Sequence, residues 1–443
     1  MFSLKRKRRR IAGKDLGTAI FELYFATLTQ LRKDNTAERA QLFRVFLNAR
    51  PLLGFIFRAF DAIAPISIKA LAAIFWASLR SRYPIKVNRG EPIAIVKYAN
   101  EIKILNSLRP VLSNHGIIEV QWQKFTLTVV SSLFFFGNRA IHNPKTFAQV
   151  WRISQKLCRR YPLFVAIRAL ESILVYIYLR DRFLSMNPAM ILIFTEGNPH
   201  GCAAMGAASA LNLPVVYMSH GAVSSRPVRI KCRLAAFYGI RARQESISQS
   251  SRIEEVVLYG FKETYRKIPA SPRKGSFCFC LSQNPDLDFL SAYLRQNSLM
   301  DTGQNPIVRP HPHSQISVFA IQQRIGKNVH VSAGTKLEDD LNKCSMVFAG
   351  NSTVHLDCLL RGMPTAYLPA LDSYEPENPL NFISEKIVFG PLNSIQIPKI
   401  EEVLAFYANN QWTARFSEFL NLDYPFEHFL AKFSDRLENI LKS

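Results

Sequence analysis

From Arg89 onward, short apolar runs alternate with longer stretches of helical spacing, the pattern of strands each followed by a helix. Pro92 to Tyr98 and Ile117 to Gln123 are the first two strand candidates, with a helix between them to about Leu112. Helical periodicity returns from Pro144 to Leu184. Ala189 to Thr195 is then a continuous apolar run, as expected of a strand buried on both faces. It is followed by a small-residue helix, Cys202 to Leu211, and by a strand at Pro214 to Met218. Further strands are expected near Ala235–Tyr238 and Val256–Tyr259.

The polar, Pro-containing segment Lys267 to Gly275 reads as a linker, after which the alternation restarts. Phe277–Leu281, Pro306–Arg309, Val329–Val331, Met346–Ala349 and Thr365–Leu368 are the next strand candidates. The segment from Ile400 to Ser443 is helical, with an interruption at Asp423, Tyr424 and Pro425. Residues 1–88 differ: they are basic and helical, punctuated by Pro51, Pro65 and Pro84. The chain therefore reads as an α/β protein with a basic helical extension (1–88) and two doubly wound, Rossmann-like domains (89–268 and 277–443). Two such domains in series place a ligand cleft between facing strand ends. A length of 443 residues accommodates this arrangement, and no internal repeat is visible.

Charge divides the chain unevenly. The net charge is +23, and residues 1–200 hold 31 Lys+Arg against 11 Asp+Glu, a net of +20. The remainder holds 25 against 22, a net of +3. The first half is thus suited to an anionic partner. Three apolar stretches, Pro51–Leu79, Phe125–Gly137 and Leu163–Met186, are interrupted by charges or fall short of the roughly 20 residues that cross a bilayer. Basic, aromatic-rich segments of this kind fit helices lying in a membrane interface, or else core helices with a solvated face. The run Lys5 to Arg10 is followed by no nucleic-acid-binding module, so an anionic membrane surface is the expected partner and nucleic acid is not. No secretory signal pattern opens the sequence. The seven cysteines are scattered without zinc spacing, which points to reduced, buried thiols in a cytoplasmic protein.

Four places put polar residues just beyond strand ends, where a doubly wound fold opens its crevice. Glu196, after the strand at 189–195, either acts as a general base or caps the next helix. His220, after the next strand, either handles a proton or rests in a satisfied loop. His311 sits between Pro310 and Pro312, which fix its direction, and follows Arg309; this suits a group that donates to a phosphate oxygen. Gly350, Asn351, Ser352 and Thr353 open a helix with small hydroxyl residues, which makes either an anion site or a plain N-cap. Asp357, one turn further, either reaches a ribose hydroxyl or stands in solvent. Two acidic groups are discounted: Asp286/Asp288, expected in a helix first turn, and Glu338/Asp339/Asp340, expected on a solvated helix face. No metal site is expected. Dinucleotide, Walker A, zinc-protease and nucleophile-elbow motifs are absent.

Together, V-V-Y-M-S-H-G, R-P-H-P and G-N-S-T-V-H-L-D-C-L-L-R-G-M-P resemble the motifs of GT-B glycosyltransferases that build bacterial surface polysaccharides. Sialyl-, polysialyl-, Kdo- and CDP-glycerol-type transferases are the nearest in pattern, over roughly residues 189–221 and 306–369. The resemblance implies that His311, Ser352 and Thr353 hold a cytidine nucleotide phosphate, that Asp357 meets the ribose, and that Glu196 is the base. It implies no cofactor beyond a nucleotide-sugar donor, a glycan or lipid-linked glycan acceptor, and a location at the inner membrane face. A UDP-, GDP- or CDP-linked donor is the alternative on the same fold, and a non-catalytic membrane- or polyanion-binding scaffold is the alternative of a different class.

Overall fold

The computed structural model describes residues 63–80, 88–96, 99–121, 144–160, 163–194, 199–219, 230–237, 239, 244, 252–259, 265–282, 285–299, 305–311, 316–326, 328–332, 334, 336–372, 382–392, 396–422 and 424–443. Eleven strands lie among these residues, all in parallel ladders. The first sheet holds β1 (Ile93–Val96), β2 (Ile118–Gln121), β3 (Ile191–Ile193), β4 (Val215–Met218), β5 (Lys231–Phe237) and β6 (Arg252–Leu258). Their spatial order is β2-β1-β3-β4-β5-β6. The second holds β7 (Ser276–Cys280), β8 (Ile307–Arg309), β9 (His330–Val331), β10 (Cys344–Ala349) and β11 (Thr365–Tyr367), in the order β11-β10-β7-β8-β9. Each sequence-expected strand overlaps one of these. The largest shifts are at β5 and β6, which start earlier than their most apolar residues.

The first sheet carries helices on both faces, as a parallel sheet requires. On one face lie α1 (Ile66–Arg80), α3 (Pro144–Arg160), α4 (Leu163–Met186) and α5 (Pro199–Ala210). The other face is covered by α2 (Ala99–Asn114). For α4 the structure decides between the two readings of its sequence: it is a core helix and not an interfacial one, enclosed by α1, α3 and α5. Leu170, Val175, Leu179 and Phe183 are fully buried, and so nearly are Glu171 and Arg180. A helix apolar on all sides is a core helix when protein surrounds it. No helix of the described residues is long and apolar enough to cross a membrane.

The second sheet is flanked by α6 (Leu287–Gln296), α7 (Val318–Ile325), α8 (Leu337–Leu341) and α9 (Val354–Leu360). α10 (Ile400–Ala408) and α11 (Asn410–Leu420) bring Tyr407, Trp412 and Phe416 into the same core. The Trp412 indole N–H donates to the Ile387 carbonyl at 2.9 Å, so its burial leaves no unpaired donor. Tyr265, ahead of the linker expected at 267–275, and Ile268, inside it, also pack into this core.

The last helix, α12 (Phe426–Lys442), does not stay with the second sheet, where its place in the sequence puts it. Its inner stripe of Phe426, Phe429, Phe433, Leu437 and Ile440 packs beside α2 on the first sheet, against Val216, Met218 and Leu234. Phe429 meets the Tyr259 ring at 4.7 Å and the Phe433 ring at 5.4 Å. Outside this stripe, Arg436 pairs with Glu255 of β6 at 3.2 Å and Ser434 bonds His115 at 2.9 Å. Gly239 seats the preceding helix: a Cβ there would lie 1.9 Å from the Phe419 carbonyl oxygen, so no larger residue fits.

Replacing Phe429 by Ala should therefore loosen the first sheet, although the residue lies near the end of the chain. The expected loss is about 3–5 kcal/mol. Hydrogen exchange of the β3 and β4 amides should report it; protection unchanged in those strands would refute the assignment.

Candidate functional site

In the second sheet the chain runs β7, β8, β9 to one side and then returns to place β10 on the other side of β7. The strand order reverses between β7 and β10, and ligand crevices in open α/β sheets lie beyond the strand ends at such a reversal. The loops leaving β7 and β10 meet there. Asp286 at the start of α6 donates its N–H to the Leu371 carbonyl at 2.9 Å, tying the β7 loop to the segment after β11.

The central group at this junction is Asp372, which the sequence reading did not single out. It is 8% exposed. One carboxylate oxygen, Oδ2, accepts the Asn351 N–H at 3.0 Å, and the carboxylate also accepts a hydrogen bond from the Ser282 side chain. Asp372 thus joins the loops following β7, β10 and β11. Burial raises its pKa above the ordinary carboxylate value, and the bonds from Ser282 and Asn351 counter that rise. Its other oxygen, Oδ1, is buried without a hydrogen-bond partner, as is Asn351 Oδ1. The residue was illegible beforehand because a lone aspartate between Leu371 and Ser373 carries no motif.

Gly350 is required by this contact. A Cβ at that position would stand 2.2 Å from Asp372 Oδ2 and 2.6 Å from its Cγ. From the other side His355 holds the same turn. It is fully buried; Nε2 bonds the Gly350 carbonyl at 2.9 Å and Nδ1 bonds the Thr365 hydroxyl at 2.7 Å. Since the carbonyl can only accept, Nε2 carries the proton and Nδ1 accepts from Thr365. Desolvation lowers the His355 pKa from 6.5 to about 4, so the ring is neutral near pH 7. Its place in the sequence motif was visible, but its role as an internal brace was not.

The expected site residues fall into three groups. Ser352 and Thr353 form the turn itself. Ser352 Oγ accepts the Val354 N–H at 3.3 Å and its own N–H bonds the Gly350 carbonyl at 2.9 Å, so Ser352 is largely occupied by local bonds. Thr353 is exposed and its side chain makes no capping bond. Among the described residues, neither its hydroxyl nor its N–H has a partner. His311 is half-buried beyond the end of β8, two strands from β10 across β7. With strands ~4.8 Å apart, the two backbones stand about 10 Å apart, a span that two side chains and a phosphate-sized group fill.

The second group is tied up by neighbours. Arg309 pairs its Nη1 with Asp340, whose Oδ2 also accepts the Ser332 hydroxyl at 2.6 Å. This corrects the reading of Asp340 as part of a solvated face: its side chain is 1% exposed, and a buried carboxylate needs that pairing. Asp357 lies 3.7 Å from Arg361, which also meets Glu338 at 3.2 Å. Asp286 caps α6 by accepting the Phe289 N–H at 2.8 Å, while Asp288 pairs with Arg324, so the two carboxylates serve separate partners. The third group, Glu196 and His220, lies outside the described residues. Glu196 falls in sequence between β3 and α5, next to the reversal between β1 and β3 in the first sheet. The six described cysteines are free and buried.

No protein-family model matches this chain, and no curated protein does. Solved structures do. The calicheamicin glycosyltransferase CalG4 superposes with a TM-score of 0.50 at 12% identity, over 80% of this chain and 99% of that one. The UDP-GlcNAc 2-epimerase from Neisseria meningitidis gives 0.45 at 9% identity, over 79% and 100%. MurG from Acinetobacter baumannii gives 0.41 at 10%, over 79% and 99%. The CalG4 likeness and the two parallel sheets define the class of architecture: the chain has the GT-B fold, two Rossmann-like units in series.

Two outcomes follow for the brace around Gly350. Gly350→Ala should cost about 1–3 kcal/mol by overpacking against Asp372. Adding Asp372→Ala should recover part of that cost, and strict additivity in the double-mutant cycle would refute the contact. His355 carries a pH signature: because its folded pKa is depressed, the unfolded chain binds the proton first. The stability from the neutral ring is present above pH 6.5 and lost as pH falls towards 4. Between pH 7.5 and 5 this amounts to roughly 2 kcal/mol, which urea titrations should show in the native protein and not in His355→Gln.

Proposed function

We propose that this chain is an inverting, metal-independent glycosyltransferase that moves a sugar acid, sialic-acid-like or Kdo-like, from a CMP donor to a cell-surface glycan. The observation that carries the reading is Thr353, exposed with both hydroxyl and amide uncommitted at the strand reversal, with His311 following β8, two strands away in the same sheet. The GT-B fold supports it, since such folds bind their ligands at these strand ends.

In this reading His311 and Thr353 donate to the donor's phosphate and stabilise the charge that grows as CMP leaves. Gly350, Asn351 and Ser352 supply the backbone of that cradle, held by Asp372 and His355, and Arg309 and Asp357 shape its sides. Glu196 takes the proton from the acceptor hydroxyl, which attacks the anomeric carbon from the face opposite the phosphate. The new glycosidic bond forms as the bond to phosphate breaks, inverting the configuration. His220 serves as a second proton-handling group. The acceptor is a glycan or lipid-linked glycan, and the protein works at the inner face of the plasma membrane.

A thermal-shift panel of CMP, CDP, UDP and GDP tests the donor: CMP should give the largest shift. A larger shift with UDP or GDP would change the donor class, and no shift with any nucleotide would favour a non-catalytic scaffold. His311→Ala should lower kcat/KM about a hundredfold while the cooperative melt is kept. Full activity in Glu196→Gln would remove the base assignment.

A further inference from the structure

The carboxyl of Asp372 is hydrogen-bonded on one side only. Oδ2 accepts the Asn351 N–H at 3.0 Å. The Ser282 hydroxyl also bonds this carboxyl, and since Oδ1 has no partner, that bond falls on Oδ2 as well. Oδ1 is out of reach of solvent. So is Asn351 Oδ1, the amide oxygen of the residue whose backbone already holds Asp372. The carboxyl packs against Gly350: a Cβ there would stand 2.6 Å from Cγ and 2.9 Å from Oδ1, so that side admits no water.

An acceptor left unpaired away from water loses the hydrogen bond it made before folding. Neither a carboxylate nor an amide oxygen can donate to the other, but a carboxylic acid can. One proton on Asp372 Oδ1 therefore gives both orphaned atoms a partner at once, and it removes a charge from a place that holds no cation. The titratable groups around it leave that solution open. Asp286, tied to this segment by its N–H bond to the Leu371 carbonyl, turns its carboxylate to the start of α6. His355, on the far side of Gly350, is a neutral ring. Among the described residues no Lys or Arg acts on Asp372; burial raises its pKa, and only the Ser282 and Asn351 bonds oppose that. Tyr374, Glu375 and Glu377 follow it in sequence, outside the described residues.

We propose that Asp372 works as a neutral acid whose proton, on Oδ1, is donated to Asn351 Oδ1, and that this proton keeps the turn at 350–353 fit to receive a phosphate. A carboxylate bonded to Asn351 would stand beside the cradle and repel the group the cradle has to hold. Asp372 is thus a positioning residue: it touches the turn and not the reacting atoms. As pH rises the proton leaves, Asn351 Oδ1 loses its donor, a negative charge faces the phosphate, and binding weakens. The phosphate part rests on the nucleotide site proposed above; the assignment of the proton does not.

Infrared difference spectra of the full chain test the proton directly. At about pH 5.5 a free aspartate is almost wholly ionised. The expected result there is a protonated-carboxyl band that moves on carbon-13 aspartate labelling and is missing from Asp372→Asn. Ser282→Ala removes a bond that favours the anion, so in that variant the band should persist to higher pH. CMP titrations follow, over the pH interval in which the band fades. The parent should lose about tenfold more affinity than Asp372→Asn, whose amide donates from the same position without a charge. Parent and variant are compared at each pH because the phosphate of CMP titrates as well. A parent without the band holds a carboxylate, its Oδ1 paired by a bound water or by the Asn351 amide turned over, and the proposal is overturned. A band that survives in Asp372→Asn, or ignores Ser282→Ala, belongs to another residue, with the same consequence. If the band is that of Asp372 but parent and variant lose CMP affinity in parallel, the proton does not serve the phosphate and that part fails. If CMP binds at no pH, the nucleotide site falls and the phosphate part with it, while the band alone decides the proton.

Discussion

A parallel sheet cannot leave a face to water, because its central strands are apolar in both directions, and most of this architecture follows from that constraint. β3, β4 and β10 are buried along their whole length. Each sheet must therefore find helices for two faces. The crossover helices supply most of them, and the first sheet completes its second face with α12, the last helix of the chain. The same demand turns α4 into an interior element, with α1 and α3 outside it.

The strand-end loops inherit their positions from these sheets. The reversal between β7 and β10 opens one crevice edge, and a buried carboxylate and a buried neutral imidazole hold the turn at Gly350 from opposite sides. Such a brace matters for ligand binding, since a group held by packing and hydrogen bonds does not have to be ordered when the ligand arrives. Thr353 is left facing outward because its neighbours Ser352 and His355 have absorbed the local hydrogen-bonding demands.

Strands were the legible part of the sequence. Their apolar runs are short and sharply bounded, and in central strands such as β1, β3, β4 and β10 fully buried, so pattern alone located every one among the described residues. The turn at 350–353 was also legible, since small residues must follow a strand there. What pattern could not supply was partnership across the fold. Asp340 looked like one of three surface acids until β8 brought Arg309 beside it. Asp372 had no motif, and its importance arises from three loops converging on it. α12 has an amphipathic stripe that says it packs, but nothing local says on which sheet. For α4 the sequence left an interfacial and a core helix both open, because apolar surface looks the same whether lipid or protein will cover it.

The return of α12 to the first sheet has a consequence for how the chain is made. Strands β1 to β6 are complete at Leu258, yet one of their faces lacks its final cover until Phe426–Lys442 has been made. Where multi-domain chains usually mature domain by domain, the first sheet here completes its packing only with a helix that follows the second sheet in the chain.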